Sequence, residues 1–246
     1  MNIALIFAGG VGSRMNTKAK PKQFLEMNKK PIIIHTLEHF ENNPEIEGIV
    51  VVCIENWINY LKDLLYKFRI EKVVKIVPGG VTGQLSIYNG LAAINELVNT
   101  EDDNIVLIHD GVRPLIGSQL ISENIACVKK HGSAITTAIV KETFILVDDN
   151  GMVETVANRD QSRVAKAPQS FYLKDILEAH EKAQKENITD FIDSCTMMRY
   201  YGKALYTLNG PVENIKITTP DDFYTMRVLL ETQENAQIYL DTEVNN

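Results

Sequence analysis

Through the first half of the chain, short apolar runs rich in β-branched residues alternate with stretches whose apolar residues recur at helical spacing. Ile3–Phe7, Gly48–Ile54, Lys72–Val77, Asn104–Ile108 and Ala134–Ile139 have the length and composition of buried strands. Between them Trp57, Ile58, Leu61, Leu64, Leu65 and Phe68, then Ile87, Leu91 and Ile94, then Leu120, Ile121, Ile125 and Val128 each fall on one helical face. Parallel strands cannot be joined by a tight turn; they need a crossover, and an amphipathic helix supplies one while covering the sheet. The alternation predicts an α/β protein with helices packed on a mostly parallel sheet.

After Lys141 the pattern changes. Thr143–Val147, the turn Asp148-Asp149-Asn150-Gly151 and Met152–Val156 read as a β-hairpin, with Asn-Gly supplying the positive φ of a tight turn. A projecting β-arm is expected at about residues 141–170. Leu173–Gln184 is helix-like and Ala204–Leu208 strand-like. Thr219-Pro220-Asp221-Asp222 opens a last helix: Thr219 can cap, proline suits the first helical position, and the acids favour the positive end of the helix dipole. From about Glu231 the chain is polar. No repeat or linker divides the 246 residues, 45% of them hydrophobic, so a single domain over 1–246 is expected.

With Lys+Arg 25 against Asp+Glu 32 the formal net charge is −7, so no overall field collects polyanions. Neither nucleic acid nor a membrane surface is an expected partner, and any anion must be held by a local cluster. Cys53, Cys127 and Cys195 are too scattered for a disulfide framework or a thiolate zinc site. No basic-then-apolar leader opens the chain and no apolar run reaches bilayer length. A cytoplasmic protein is expected.

The first strand runs into FAGGVGSRMNTKAKPKQFL, Phe7 to Leu25. Glycines directly after a strand let a backbone approach a ligand closely and aim its amides at phosphate oxygens. A dinucleotide fingerprint would need a third glycine where Met15 stands, and a Walker loop would need a Gly-Lys that is absent. What remains is G-G-x-G-x-R followed by Lys-Pro-Lys, with Arg14 and Lys22 able to converge on one polyphosphate and stabilise charge developing in phosphoryl or nucleotidyl transfer. The alternative is a glycine turn with solvated basic residues. Asp110, after an apolar strand, falls at the carboxyl end of the sheet, where it either holds Mg²⁺ or pairs with Arg113 to fix the turn.

Several ordered motifs recur together: Ala8-Gly9-Gly10-Val11-Gly12-Ser13-Arg14-Met15, Pro21-Lys22-Gln23-Phe24-Leu25, His35-Thr36-Leu37, Gly79-Gly80, His109-Asp110-Gly111-Val112-Arg113-Pro114, Pro168-Gln169-Ser170-Phe171 and Asn214-Ile215-Lys216-Ile217-Thr218. Over roughly Ile3 to Leu230 the chain resembles the polyol-phosphate cytidylyltransferases, which include the 2-C-methyl-D-erythritol 4-phosphate and ribitol-5-phosphate enzymes. The resemblance implies a three-layer, Rossmann-like nucleotidyltransferase fold, CTP and a polyol phosphate as substrates, Mg²⁺ as cofactor, and a homodimer formed through the β-arm. It also implies roles. Arg14, Lys22 and Lys216 would be catalytic, with Lys216 bridging the α-phosphate of CTP and the incoming phosphate. Ala8, Gly9, Gly10, Gly12, Gly80, Val81, Ser86, Gly111 and Arg113 would bind the nucleotide, the Gly80–Ser86 stretch reading cytosine. Thr143, Arg159, Thr189 and Glu213 would bind the polyol phosphate, partly across the twofold axis, and Asp110 would hold the metal.

The Ala-Gly-Gly opening and His-Asp-Gly-Val-Arg-Pro look more like the ribitol-phosphate branch. Two positions depart from the common pattern: Gly83 stands where an arginine is usual, and Ala167 where threonine is usual. The methylerythritol-phosphate reaction, another sugar-phosphate nucleotidyltransferase and a degenerate nucleotide-sensing subunit remain as alternatives. A rival from another class is His35-Thr36-Leu37-Glu38-His39, which matches the H-x-x-E-H zinc helix.

Overall fold

The structure, a computed structural model, describes residues 1–10, 15, 20–99 and 102–239, with side chains to residue 232. Its centre is β1 (Asn2–Ala8), which pairs in parallel with β4 (Gly48–Cys53) on one side and β6 (Ile105–Asp110) on the other. Beyond β4 lies β5 (Val73–Pro78), also parallel. Beyond β6 come β10 (Arg163–Tyr172), β7 (Ser133–Ile139) and β11 (Thr207–Asn209). The seven-stranded order is β11-β7-β10-β6-β1-β4-β5, and β10 alone runs antiparallel to its neighbours β6 and β7. Two short strands, β2 (Glu26–Met27) and β3 (Lys30–Pro31), form a separate ribbon.

Helices cover both faces, as an α/β sheet with apolar residues on both sides requires. All six residues of β4 are buried. On one face α1 (Ile32–Glu41), α2 (Ile58–Phe68) and α4 (Ser118–His131) contribute Leu37, Phe40, Leu61, Leu65, Ile121 and Ile125 to the core. On the other, α3 (Gly83–Asn95), α5 (Leu173–Lys185) and α6 (Ser194–Tyr200) contribute Leu91, Ile94, Ile176, Ala179, Met197 and Met198. α3 crosses the sheet at Gly90, where any Cβ would run into Leu5 and Val52. The last helix, α7 (Pro220–Tyr239), packs Met226 with Ile217, Val112 and Leu115 in a third cluster. Its start is a reciprocal cap: Asp222 Oδ2 accepts from the amides of Thr218 (2.8 Å) and Thr219 (2.7 Å), and the Asp222 amide donates to Thr219 Oγ1 at 3.4 Å.

The expected strands form with shifts of a residue or two, the useful one being β6, which runs on through His109 and Asp110. The β2–β3 ribbon, β10 and the short α6 lay outside the sequence reading. Pro168 interrupts β10, and a proline inside a central strand requires an irregularity. It has one: pairing with β7 shifts between Ala165 and Gln169. The hairpin of β8 (Ile145–Val147) and β9 (Val153–Val156) forms a sheet of its own, closed by Met152 N–H to Asp148 Oδ1 (2.8 Å) with Gly151 at φ +83°. Its Ile145, Leu146, Val147, Met152, Val153 and Val156 are all exposed in the single chain. Among the described residues, no helix is long and apolar enough to cross a membrane.

Candidate active site

The chain leaves β1 toward β4 on one side and comes back through β6 on the other, so the carboxyl ends of β1 and β6 flank the point where strand order reverses. Open α/β sheets bind ligands there. Phe7 pairs with Asp110 in the register of the two strands, so β1 ends at Ala8 beside the aspartate. Gly111 follows so closely that its amide donates to Phe7 O (2.9 Å) and an added Cβ would lie 3.2 Å from Ala8 Cβ.

Asp110 is the hub of a charged cluster. Its Oδ2 accepts from Arg113 Nε at 2.8 Å and its Oδ1 faces Lys216 Nζ at 2.6 Å. Burial by itself would push the carboxyl up, but the adjacent charges of Lys216 and Arg113 outweigh it and hold the group well below the usual carboxylate range. Lys216 is brought here by backbone pairing: Ile217 N–H donates to Val112 O (3.0 Å), and Arg113 Nη1 donates to Asn214 O (2.8 Å). Lys22 joins from the opposite wall, donating to Ile217 O at 2.9 Å. Its 22–24 turn is anchored by Phe24, stacked on Trp57 at 5.1 Å, and by Gln23, whose Nε2 donates to Ala8 O at 2.6 Å. Next to Asp110, His109 is buried; desolvation lowers it to about 4, and its neutral ring sits with Nε2 3.1 Å from Arg113 O.

The second wall is the loop after β5. Gly79 and Gly9 are in contact, and Gly80 is packed so tightly that a Cβ would fall 2.7 Å from that of Leu85. Ser86 is buried with its hydroxyl used inside the loop, accepting from Gly80 N–H (2.9 Å) and donating to Thr82 O (2.8 Å). The side chain expected to read a pyrimidine therefore shapes the loop that would do so, while Val81 at its tip is 92% exposed. Thr82 caps α3 and also donates to Thr189 O at 2.6 Å. Gln84 clamps the same segment, donating to Ile188 O (2.8 Å) and accepting from Phe191 N–H (2.9 Å). From β10, Gln169 donates to Asp193 Oδ2 (3.0 Å) and accepts from Cys195 N–H (2.8 Å). Residues 188–195 are thus hung between the two walls.

The structure brings Lys22, Lys216, Asp110 and Arg113 together, with Ala8 and Gly111 beside them, while Gly9 meets Gly79 and Gly80 packs on Leu85. Gly12 and Arg14 lie outside the described residues. Thr189 is positioned by its carbonyl, and Glu213 is exposed just before Asn214. Thr143 and Arg159 are exposed on the arm and do not line this chain's pocket. Both readings of Asp110 meet in one geometry, since it does pair with Arg113 and also faces the pocket. A cation missed by the sequence reading is Lys166, which lines the pocket with Asp110, Arg113 and Lys216. Its one sequence signal is its place beside Ala167-Pro168-Gln169. Gln84 lies in the Gly80–Ser86 stretch and Gln169 in Pro168-Gln169-Ser170-Phe171, but nothing in their spacing announces a clamp.

The zinc reading gains no support from the geometry. His35 Nε2 meets Met27 O (3.0 Å), His39 Nε2 meets Pro114 O (3.0 Å), and Glu38 is paired with Lys30 at 2.7 Å. Each histidine is anchored to a backbone carbonyl, and the glutamate that would activate water is held in an ion pair. Mg²⁺ is a different case, because it is commonly held by one or two carboxylates together with substrate phosphates. Among the described residues no group of three His, Cys, Asp or Glu could hold a metal alone. Asp110 could serve as one ligand of a metal shared with a polyphosphate only by exchanging its contact with Lys216 or Arg113, which hold both of its oxygens.

Comparison with known proteins agrees with this arrangement. The family model described as "IspD: 2-C-methyl-D-erythritol 4-phosphate cytidylyltransferase" matches residues 2–232. A ribitol-5-phosphate cytidylyltransferase of Vibrio parahaemolyticus is 55% identical over 239 residues, 97% of this chain and 100% of that one. A 2-C-methyl-D-erythritol 4-phosphate cytidylyltransferase of Clostridium botulinum is 39% identical over 230 residues, 94% of this chain and 97% of its own. Among solved structures, the 4-diphosphocytidyl-2C-methyl-D-erythritol synthase of Anaerococcus prevotii superposes with TM-score 0.80 at 27% identity, covering 94% of this chain and 96% of that one. With its switch-point site, its mostly parallel sheet and a family match running almost end to end, this chain belongs to the 2-C-methyl-D-erythritol 4-phosphate cytidylyltransferase (IspD) family of nucleotidyltransferase enzymes.

Proposed function

We propose that the protein transfers CMP from CTP to ribitol 5-phosphate, giving CDP-ribitol and pyrophosphate. The observation that carries the choice of acceptor is the 55% identity to a ribitol-5-phosphate cytidylyltransferase, against 39% to a methylerythritol-phosphate enzyme. In the reaction a phosphate oxygen of the acceptor attacks the α-phosphorus of CTP in line; that P–O bond forms as the bond to the pyrophosphate oxygen breaks, and its electron pair leaves with pyrophosphate. No protein nucleophile is needed, so positioning and charge stabilisation supply the catalysis.

Lys22 and Lys216 would face the charge that builds on the α-phosphoryl oxygens, with Arg14 contributing from the glycine loop. Asp110 would hold Mg²⁺, which when bound would offset the negative charge of the triphosphate. Gly9, Gly10 and Gly80 let backbone approach the nucleotide. Thr189 and Glu213 would line the acceptor side, and Thr143 and Arg159 would reach the site of a second subunit through the exposed arm. The apolar β8–β9 surface supports that homodimer, since a monomer would leave it in water. The free thiols of Cys53, Cys127 and Cys195 suit the reducing cytoplasm.

Pyrophosphate release tests the reading, with CTP or UTP offered against ribitol, methylerythritol, arabinitol and glycerol phosphates. CTP with ribitol 5-phosphate should give the highest kcat/KM. A preference for UTP or for another acceptor would refute the assignment, and no release with any pair would favour a nucleotide sensor.

A further inference from the structure

We infer that Lys166 binds the phosphate of the acceptor, a cation contributed to the acceptor side by the same chain that holds the nucleotide. The inference rests on the proposed reaction and adds a residue to it. Lys166 sits where β10 breaks register with β7, between the pairs Ala165–Thr137 and Gln169–Ile135. An irregular point re-aims side chains, and here it directs a lysine into the pocket shared by Asp110, Arg113 and Lys216. Its ammonium is oriented by carbonyls, donating to Val212 O at 2.8 Å and to Pro211 O at 3.4 Å. An ammonium carries three donors, so two carbonyls leave one for a ligand.

The charge balance points the same way. Asp110 already serves both Arg113 and Lys216, and Lys166 has no carboxylate within ion-pair distance among the described residues. Burial, and then the nearby charge of Arg113, lower its pKa from the ordinary lysine value, with Glu213 opposing them. The pocket's other carboxylate, Asp193, is taken up by Gln169 and the Thr196 amide. Among the described residues Lys166, Arg113 and Lys216 thus have only Asp110 between them as an ion-pair partner, and that excess of cations favours binding a phosphate. A lysine serving only to staple the Pro211–Val212 turn to β10 would need no place in the pocket.

The test compares wild type, Lys166→Met and Lys166→Arg by steady-state kinetics, using the acceptor that wild type turns over best. Lys166→Met should raise the acceptor KM by about 10- to 100-fold, the scale of one hydrogen bond to a charged group, while the KM for CTP changes by less than about 2-fold. Lys166→Arg should recover most of the loss. Because the ammonium must stay protonated, acceptor KM should rise in wild type as pH climbs through the lowered lysine pKa, and that limb should be absent in Lys166→Arg. Thermal stabilisation by inorganic phosphate gives a readout independent of turnover and should shrink in Lys166→Met. An unchanged acceptor KM and an unchanged phosphate stabilisation would overturn the inference while leaving the reaction intact. Failure of wild type to release pyrophosphate would instead refute the reaction, and the phosphate measurement alone would then decide the role of Lys166.

Discussion

Lys216, Asp110 and Arg113 form a chain of charge in which the middle member is paired through both of its carboxylate oxygens. Removing an end and removing the middle have different consequences. Lys216→Ala takes away a cation proposed to meet the transition-state charge, and turnover should fall by about 10²- to 10³-fold, the effect of deleting one charge-stabilising donor. Asp110→Asn leaves Arg113 facing a neutral amide and should cost about 3–5 kcal/mol of stability, as for a broken buried pair, measured by urea denaturation. Histidine supplies a residue-scale test of folding. Burial lowers both His109 and His180 to about 4. Their unfolded values lie near 6.5, so between about pH 6.5 and 4 the unfolded chain binds protons that the folded chain refuses. Stability should therefore decline as pH falls through that window, approaching about 1.4 kcal/mol per pH unit for each histidine. His180→Leu should flatten the slope, and an unchanged slope would contradict this origin. Which residues could be read in advance follows from how local their signals are. Asp110 and Lys216 sit in contiguous motifs, whereas Lys166 matters only through a register break and two carbonyls some 45 residues away.

At the scale of elements, α3 joins the fold to the site. Its middle lies on the sheet through Gly90, so Gly90→Val should force α3 off Leu5 and Val52 and cost about 1–3 kcal/mol, the penalty of overpacking a tight contact. Its first turn holds residues 188–191 through Thr82 and Gln84. Gln84→Leu keeps the volume near that of glutamine but removes both bonds, so amide exchange at Phe191 should accelerate while the core amides of β4 keep their protection. The central strands β1, β4 and β6 were legible because each is a nearly continuous apolar run buried on both faces. β10 was not, because its alternation is broken at Lys166-Ala167-Pro168, the same irregularity that presents Lys166 to the pocket. Ser86 was read as a ligand group, yet its hydroxyl closes the loop; spacing identifies a loop but not which of its donors are already used.

For the molecule as a whole, the arm stands apart as a two-stranded sheet of its own. The arm's apolar side chains have nothing to cover them in one chain, and an apolar groove at its base is lined by Ile139, Val140, Phe144, Val164 and Val212. Deleting residues 143–156 should give a monomer in sedimentation velocity with weak activity; a deleted protein that still sediments as a dimer would refute the arm as the interface. The central claim remains the acceptor, and a competition measures it most directly. With equimolar ribitol 5-phosphate and 2-C-methyl-D-erythritol 4-phosphate sharing limiting CTP, the ratio of CDP-linked products followed by ³¹P NMR equals the ratio of kcat/KM. CDP-ribitol should dominate, and a predominance of the methylerythritol product would contradict the account.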